Sequence, residues 1–454
     1  MLRLALSSLR SRKGSFAATF INVFLGAGIL MAFSSLFDTG AAAGVSKQDK
    51  KTLTTMCFVV DGWGVLIVAF GIAATLNLVV RQRGTEIGLL KSAGAVPGQI
   101  TRMIMGETAV VALLGVVFAL PAGYFAGHAV VATLVSTHQV TKGIAYHFGT
   151  MALSIGIGDT VLAAAVAAYI TGRRAATIST REALIAGAVE TSKMSKKRIA
   201  FGIFFLLLGT DCGVLVSTAL KHKGYLTMSL AGEACIHVSI GLALLSPLLL
   251  RLVRMLVGGL IRGFGGAPGY LADLNMRQRS NRMAGVLMPI ILFVGMATGS
   301  LYMQVIENDA VSSGREVRTQ DTKNVETLNF VIVATIAVFA AVVLINLAVT
   351  STIYRRREFG QQRLVGSTPG QVRRMVRLES VITVITGLLA GTIAALASVV
   401  PFSIARADKV VPHIGPAIYL GVVAAVVVLT FAANGGATRK ALREPALDAM
   451  AAGR

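Results

Sequence analysis

RQRGTEIGLLKSAGAVPGQITRMIMGE, residues 81–107, has a second copy 272 residues later, IYRRREFGQQRLVGSTPGQVRRMVRLE at 353–379. Ten of the 27 aligned positions are identical, and a long apolar run lies on either side of each copy. Each copy combines a charged helical piece, a Gly-x-x-Pro-Gly turn and a second helical piece, because Gly and Pro at that spacing end one helix and start the next. These two duplicated segments predict short helices that present polar and basic residues to the aqueous phase. The alternative is a duplicated loop kept basic for topology alone.

The apolar content of the chain is typical of a membrane protein. Of 454 residues, 54% are hydrophobic and 14% charged, more apolar sequence than a soluble core buries. The expected fold class is therefore all-α, a polytopic membrane protein with about ten transmembrane helices. Runs of about 20 apolar residues, the length that crosses the hydrocarbon layer, lie at 16–37, 57–80, 108–131, 151–171, 199–220, 230–250, 283–305, 328–352, 380–404 and 415–434.

The net charge of +22 follows membrane topology. With the N-terminus inside, most of the 43 Lys and Arg residues, but fewer than half of the 21 Asp and Glu residues, fall in cytoplasmic segments. This asymmetry obeys the positive-inside rule, and basic segments also attract anionic lipid headgroups. The charge therefore predicts membrane lipids as partners, with no nucleic acid. It also predicts that both termini are cytoplasmic and that Gly143 and Ser312 lie outside.

Residues with metal-binding or redox chemistry are few. The three cysteines fall in or at the ends of spans without metal-ligand spacing, so we interpret them as core residues: Cys57, Cys212 and Cys235. Three histidines near the third span are widely spaced and have no carboxylate beside them, so no metal site is predicted: His128, His138 and His147.

The duplication divides the chain into three parts. We predict one four-span repeat at 1–190, two linking spans within 191–265, and a second four-span repeat at 266–454. A basic stretch before the first span, LALSSLRSR at 4–12, is echoed by LADLNMRQR at 271–279. An even number of spans separates the duplicated segments, so both face the same side and the repeat is parallel. Small residues should allow close helix packing in the first repeat: Gly26, Gly28, Gly123 and Gly127.

The sequence contains no recognisable catalytic or nucleotide-binding motif. A P-loop, Gly-x-Ser-x-Gly, His-Glu-x-x-His and Cys-x-x-Cys are all missing. Two carboxylates fall at membrane depth, Asp159 and Asp211. They could couple ions to transport, or could be satisfied by polar neighbours or an outer aqueous vestibule. Glu107 and Glu379 stand at the starts of spans three and nine, where a carboxylate suits a helix N-terminus.

The run EIGLLKSAGA at 86–95, the Pro-Gly-Gln turns and the four-span unit resemble the FtsX/MacB-type permeases of ATP-binding cassette systems. The ten-span, two-repeat layout is similar to the bacitracin-resistance type. Family members commonly carry a large extracytoplasmic domain, whereas this chain has only short segments at 38–56 and 307–327. Recognition is therefore expected within the membrane, by short loops or by an accessory protein.

The resemblance implies that each duplicated segment contains a coupling helix that docks on a separate cytoplasmic ATPase, with two ATPase copies expected. ATP and magnesium would be bound by that partner, and no cofactor directly by this chain. It also implies a multi-pass protein of the bacterial cytoplasmic membrane. The docking residues carried over are Glu86, Lys91, Gly94, Pro97, Gln99, Glu358, Arg363, Gly366, Pro369 and Gln371.

Three functions are consistent with these features. The leading one is a non-enzymatic permease subunit that uses ATP hydrolysis on its partner to export or extract an amphipathic or lipid-like compound, an antimicrobial being one candidate. A transmembrane signal transducer driven by the same ATPase is the second. A secondary transporter is the third, disfavoured because paired surface helices would serve no purpose and no charge pair is evident in the spans.

Overall fold

The computed structural model describes residues 13–177, 194–221, 225–314, 320–410 and 415–447; the predicted lead-in at 4–12 lies outside these ranges. Within them the chain forms helices joined by short connections, without strands. The first five helices are α1 (Lys13–Ala41), α2 (Lys47–Gln82), α3 (Gly84–Ser92), α4 (Pro97–Ser136) and α5 (Thr150–Thr177). The remaining seven are α6 (Lys196–Thr218), α7 (Tyr225–Leu244), α8 (Ser246–Ser312), α9 (Gln320–Tyr354), α10 (Arg356–Leu364), α11 (Pro369–Ala407) and α12 (Ala417–Leu442).

The chain divides into two compact units, Met1–Val189 and Glu190–Arg454. In the first unit α1 packs against α2, α4 and α5, and α5 also packs against α2 and α4. In the second unit α8, α9, α11 and α12 make the same set of pairings in the same chain order. Each unit therefore contains the same four-helix arrangement. Helices α6 and α7 of the predicted linking region pack within the second unit, and the three-part division of the chain remains a prediction.

Membrane-spanning character is clear for most of the predicted spans. Among the described residues, eight helices are long and apolar enough to cross a bilayer. The other two predicted spans, 57–80 and 328–352, lie in α2 and α9, where shorter apolar stretches cover Val68–Asn77 and Val333–Val349. The prediction of an all-α polytopic membrane protein is confirmed.

Small residues bring the helices close together, as the sequence predicts. A Cβ on Gly26 would lie 2.6 Å from a methyl carbon of Val68, and a Cβ on Gly391 would lie 2.5 Å from Cβ of Val294. Both distances are far below van der Waals contact, so neither position has room for a side chain. The three cysteines are buried in the helical core, which confirms their interpretation as core residues.

Helix α8 reverses its direction near Gly266, where φ is +58°. The Nη1 atom of Arg254 lies 3.0 Å from Oδ1 of Asp273, although the two residues are 19 positions apart. A straight helix would separate them by about 28 Å. The two legs of α8 therefore form an antiparallel hairpin, and the second leg continues as the predicted seventh span.

A buried ion pair joins α8 to α11. The Nε atom of Arg406 donates to Oε2 of Glu307 at 2.8 Å, and both side chains are almost completely buried. The expectation that the spans hold no charge pair is therefore wrong. Both residues fall just beyond the predicted span limits of 305 and 404, but the apolar helices continue past them to Ser312 and Ala407.

The parallel repeat makes a topological prediction that cysteine labelling can check. Gly143 has φ of +96°, a conformation that strains any residue with a Cβ, so the exposed Ala145 is a better probe of the same loop. Ala145→Cys and Ser312→Cys should both react with an impermeant thiol reagent in intact cells. Ser92→Cys, in the first duplicated segment, should react only after lysis. Protection of either outer position in a correctly inserted protein would contradict the parallel arrangement.

Candidate functional site

Each duplicated segment folds as a short helix between two long ones. Helix α3 ends at a left-handed glycine, Gly94 with φ of +93°, and α10 ends at Gly366 with φ of +103°. The amide of Gly94 donates to the carbonyl of Lys91 at 3.0 Å, and the amide of Gly366 donates to the carbonyl of Arg363 at 3.1 Å. Glycine is favoured here because residues with a Cβ rarely adopt this backbone conformation at a helix end.

The long helix that follows each turn begins with a proline and a glutamine that accepts from the cap residue, and the second copy adds a threonine that completes the capping box. Pro97 and Pro369 occupy the start of α4 and α11, where proline's missing N–H costs nothing. The side chain of Gln371 accepts from the amide of Thr368 at 2.8 Å, and Oγ1 of Thr368 accepts from the amide of Gln371 at 3.2 Å. In the first copy Gln99 accepts from the amide of Val96 at 3.1 Å. The predicted Gly, Pro and Gln positions therefore set the local backbone.

Behind α3, a buried arginine binds two carboxylates. Arg83 lies between α2 and α3, and its Nε donates to Oε2 of Glu86 at 3.1 Å. Its Nη2 donates to Oε1 of Glu107 at 3.1 Å, and its Nη1 donates to the other oxygen of that carboxylate. Arg83 and Glu107 are buried, whereas Glu86 is partly exposed. One guanidinium therefore joins the end of α2, the short helix and the third turn of α4.

The second unit repeats this arrangement. Arg355 donates from Nη1 to Oε2 of Glu379 at 2.5 Å and from Nε to Oε2 of Glu358 at 3.4 Å. Two further contacts have no counterpart described in the first unit. Asn275 donates to Oε1 of Glu379 at 2.9 Å, and the Arg355 guanidinium lies 5.1 Å from the centre of the Phe359 ring, within the range of a cation–π interaction.

These environments keep both arginines charged. Burial works to lower the pKa of Arg83, but hydrogen bonds and charge from Glu107 and Glu86 outweigh it and raise the pKa above its ordinary value. Burial likewise acts to lower the pKa of Arg355, and the charges of Glu379 and Glu358 raise it. A fixed positive charge is thus held between two carboxylates at the base of each bundle.

The interpretation of Glu107 and Glu379 as helix-start carboxylates is wrong. Their helices begin ten residues earlier, at Pro97 and Pro369, so both carboxylates lie in the third turn and bind an arginine. The predicted site does not include Arg83 and Arg355, although the arginine and both glutamates are among the ten identities between the copies.

The basic residue of each short helix binds the end of the last helix of its bundle. Nζ of Lys91 donates to the carbonyls of Ala176 at 2.8 Å and Ala175 at 3.3 Å, in the last turn of α5. Nη1 of Arg363 donates to the carbonyl of Glu444 at 2.7 Å, just beyond α12. Carbonyls at a helix C-terminus favour a cation. Burial lowers the pKa of Lys91.

Apolar contacts hold the inner face of each short helix. Ile87 of α3 is buried with Ile100 and Ile104 of α4, and Phe359 of α10 is buried with Val372 and Met375 of α11. Ile87 and Phe359 occupy equivalent positions in the two copies. Each short helix is therefore fixed by one apolar anchor in addition to its charged contacts.

The outer surface of each segment carries large apolar side chains in the open. Leu89 and Val96 of the first copy are 60% and 55% exposed, and Leu364 and Val365 of the second are 54% and 90% exposed. The charged and apolar contacts described above hold the remainder of each segment against its own unit. We call each pair of residues the exposed apolar patch of its unit. None of them is among the docking residues carried over from the resemblance, whose charged members point toward their own unit.

The two intramembrane carboxylates lie in different units. Asp159 is half-buried on α5, and Asp211 is exposed on α6. A further carboxylate at this depth, Asp61 of α2, is buried and accepts from Oγ of Ser34 at 2.6 Å. A role of Asp159 or Asp211 in ion coupling stays a prediction. In the part of the chain that the structure describes, no cluster of three or more His, Cys, Asp or Glu residues is placed to hold a metal ion.

Fold and site together define a polytopic helical membrane protein built from two copies of a four-helix bundle, each with a braced short helix at one end. The family model for the FtsX-like permease C-terminal domain matches residues 62–180 and 330–446, more than half of the chain. The chain belongs to this family. It is accordingly a non-catalytic permease subunit of the ATP-binding cassette type, with a cytoplasmic ATPase as its partner. The comparison with curated proteins gives no match.

The buried ion pair between Arg83 and Glu107 predicts that removal of one partner lowers the stability of the first unit. Arg83→Gln leaves the carboxylate of Glu107 buried without its countercharge and should destabilise the first unit by about 3–5 kcal/mol. Thermal unfolding of the purified protein measures the loss.

A double change provides the control. Arg83→Leu with Glu107→Leu removes both charges and should cost less than Arg83→Gln alone, and Arg355→Gln should reproduce the single effect in the second unit. Additive losses in the double variant would mean that the two side chains do not interact.

Proposed function

We propose that the chain converts ATP binding and hydrolysis on two copies of a separate ATPase into export, or extraction from the membrane, of an amphipathic or lipid-like compound. ATP and magnesium are held by the ATPase. The duplicated segments are the docking elements, one for each ATPase copy, and the membrane is that of a bacterial cell with both termini in the cytoplasm.

The observation that carries the proposal is the combination of a braced helix and an exposed apolar surface in both copies. Exposed apolar residues beside fixed charges are typical of a protein interface, in which an apolar centre supplies affinity and a polar rim sets orientation. Leu89 and Val365 are 60% and 90% exposed, whereas Ile87 and Phe359 of the two short helices are buried. A groove on the ATPase would cover them.

The side-chain contacts that hold α3 against the long helices would transmit movement from the ATPase to the membrane-spanning part of the chain. In the first unit Arg83 links α3 to α2 and α4, and Lys91 links α3 to α5. A force on α3 would therefore act on three long helices together. A short helix held by a flexible loop would absorb that force, because loop motion costs little free energy.

Substitutions in the exposed apolar patches test this assignment. Leu89→Asp and Val365→Asp should each weaken ATPase association, and the double variant should abolish it, because each places a charge in a contact that excludes water. Native mass spectrometry of the complex purified through a tag on this chain should give one permease with two ATPases. Gly94 and Gly366 are less suitable, since their positive φ would strain any larger residue.

The matched control is Val410→Asp, which adds the same charge at a residue that is 63% exposed beyond the other end of α11. It should leave the complex intact. A double variant that retains two ATPases, or a wild-type complex with one, would refute the role of these segments as paired docking elements.

A further inference from the structure

A pocket of about 460 Å³ lies at the end of the first unit opposite the short helix. Its floor is apolar: Val131, Ala132 and Val135 come from the last turns of α4, and Ile144 comes from the connection that follows. This volume is within the range of small-ligand sites. The predicted topology places the pocket at the outer surface of the membrane.

The rim of the pocket is basic and rich in hydrogen-bonding groups. It is formed by His128, His138, Lys142 and Tyr146, and no carboxylate is among the lining residues. The ring of His128 lies edge-on to that of Tyr146, with centroids 5.5 Å apart. The hydroxyl of Tyr146 donates to Oγ of Ser35 at 3.1 Å. An ammonium group and two imidazoles above an apolar floor suit an anionic headgroup, to which they can donate.

Two nearby carboxylates bind the connection between α4 and α5, which contributes residues to the pocket. Asp49 accepts from the hydroxyl of Thr141 at 2.7 Å, and Asp38 accepts from the amides of Gly149 at 3.0 Å and Ala152 at 2.8 Å. Both are thus engaged with the connection between α4 and α5. These contacts anchor the chain on both sides of the lining residues Lys142, Gly143, Ile144 and Tyr146, and a preformed site loses less entropy when it binds a ligand.

An apolar stripe on α4 continues directly from the pocket. Positions 114, 118, 121, 125, 128, 132 and 135 repeat at intervals of three and four, so they share one helix face. Below the pocket, Leu114, Phe118 and Phe125 are 45%, 59% and 70% exposed. The stripe covers about 30 Å of helix, close to the thickness of the hydrocarbon layer.

We propose that the pocket and this stripe bind an anionic, phosphate-bearing lipid from the outer leaflet. Its headgroup occupies the basic pocket and its acyl chain lies along the stripe on α4. The inference rests on the proposed function, because it names the chemical class of the transported compound. It concerns binding by the permease alone.

Binding of dioctanoyl phosphatidic acid to the purified chain in phosphatidylcholine nanodiscs tests the site. Saturable binding is expected to weaken about tenfold in Lys142→Gln, which removes a charge-assisted contact. Phe125→Asn should weaken binding of the dioctanoyl lipid more than that of the dihexanoyl lipid, since it shortens the apolar surface available to the longer chains. Circular dichroism confirms that both variants remain folded.

Lys50→Gln is the matched control, because Lys50 is an exposed lysine on α2 that does not line the pocket, and it should bind like the wild type. Equal affinity of Lys142→Gln and the wild type would overturn the proposal. Competition by inorganic phosphate at the same concentration as the lipid would identify a free-phosphate site and overturn the lipid class. No ATPase is present in the assay. A negative lipid-binding result would therefore count against this inference and would say nothing about ATPase docking.

Discussion

A guanidinium buried between two carboxylates at the base of each bundle is the contact on which the rest of the site depends. In the first unit it joins three elements that follow one another in the chain: the end of α2, the short α3 and the third turn of α4. Buried charges are costly unless every partner is in place. The arginine is therefore stable in this position only when both carboxylates bind it. This requirement fixes the position of α3, a nine-residue helix that is too short to be stable alone.

Much of this architecture could be predicted from the sequence, because it depends on local signals. The duplication, the Pro-Gly turns and the apolar runs identify the helices and their order. The identities between the copies include Arg83 and Glu107, but their contact is not evident from the sequence, because it depends on where α4 begins. The apolar run suggests a start near residue 108, whereas the cap at Pro97 extends the helix by three turns. The ATPase contacts carried over from the resemblance remain predictions.

The second unit adds features that periodicity alone does not reveal. The apolar and basic residues between the sixth and seventh spans are consistent with a surface linker, but the chain reverses at Gly266 and forms a helical hairpin. Asp273 lies between Arg254 and Arg262 and joins its two legs. Asn275 on the second leg then reaches Glu379. The hairpin thus supports the second arginine site from a direction that has no described counterpart in the first unit.

Helix α4 has 40 residues and a mechanical consequence follows from its length. At 1.5 Å per residue it is about 60 Å long, roughly twice the thickness of the hydrocarbon layer. Its first turns carry the cap and Glu107, and its last turns form the floor of the basic pocket. If α4 moved as one body through its interior Pro121, a tilt of about 5° around its middle would displace each end by about 3 Å in opposite directions. A displacement comparable to a hydrogen-bond length at one end of the helix would then be reproduced at the other.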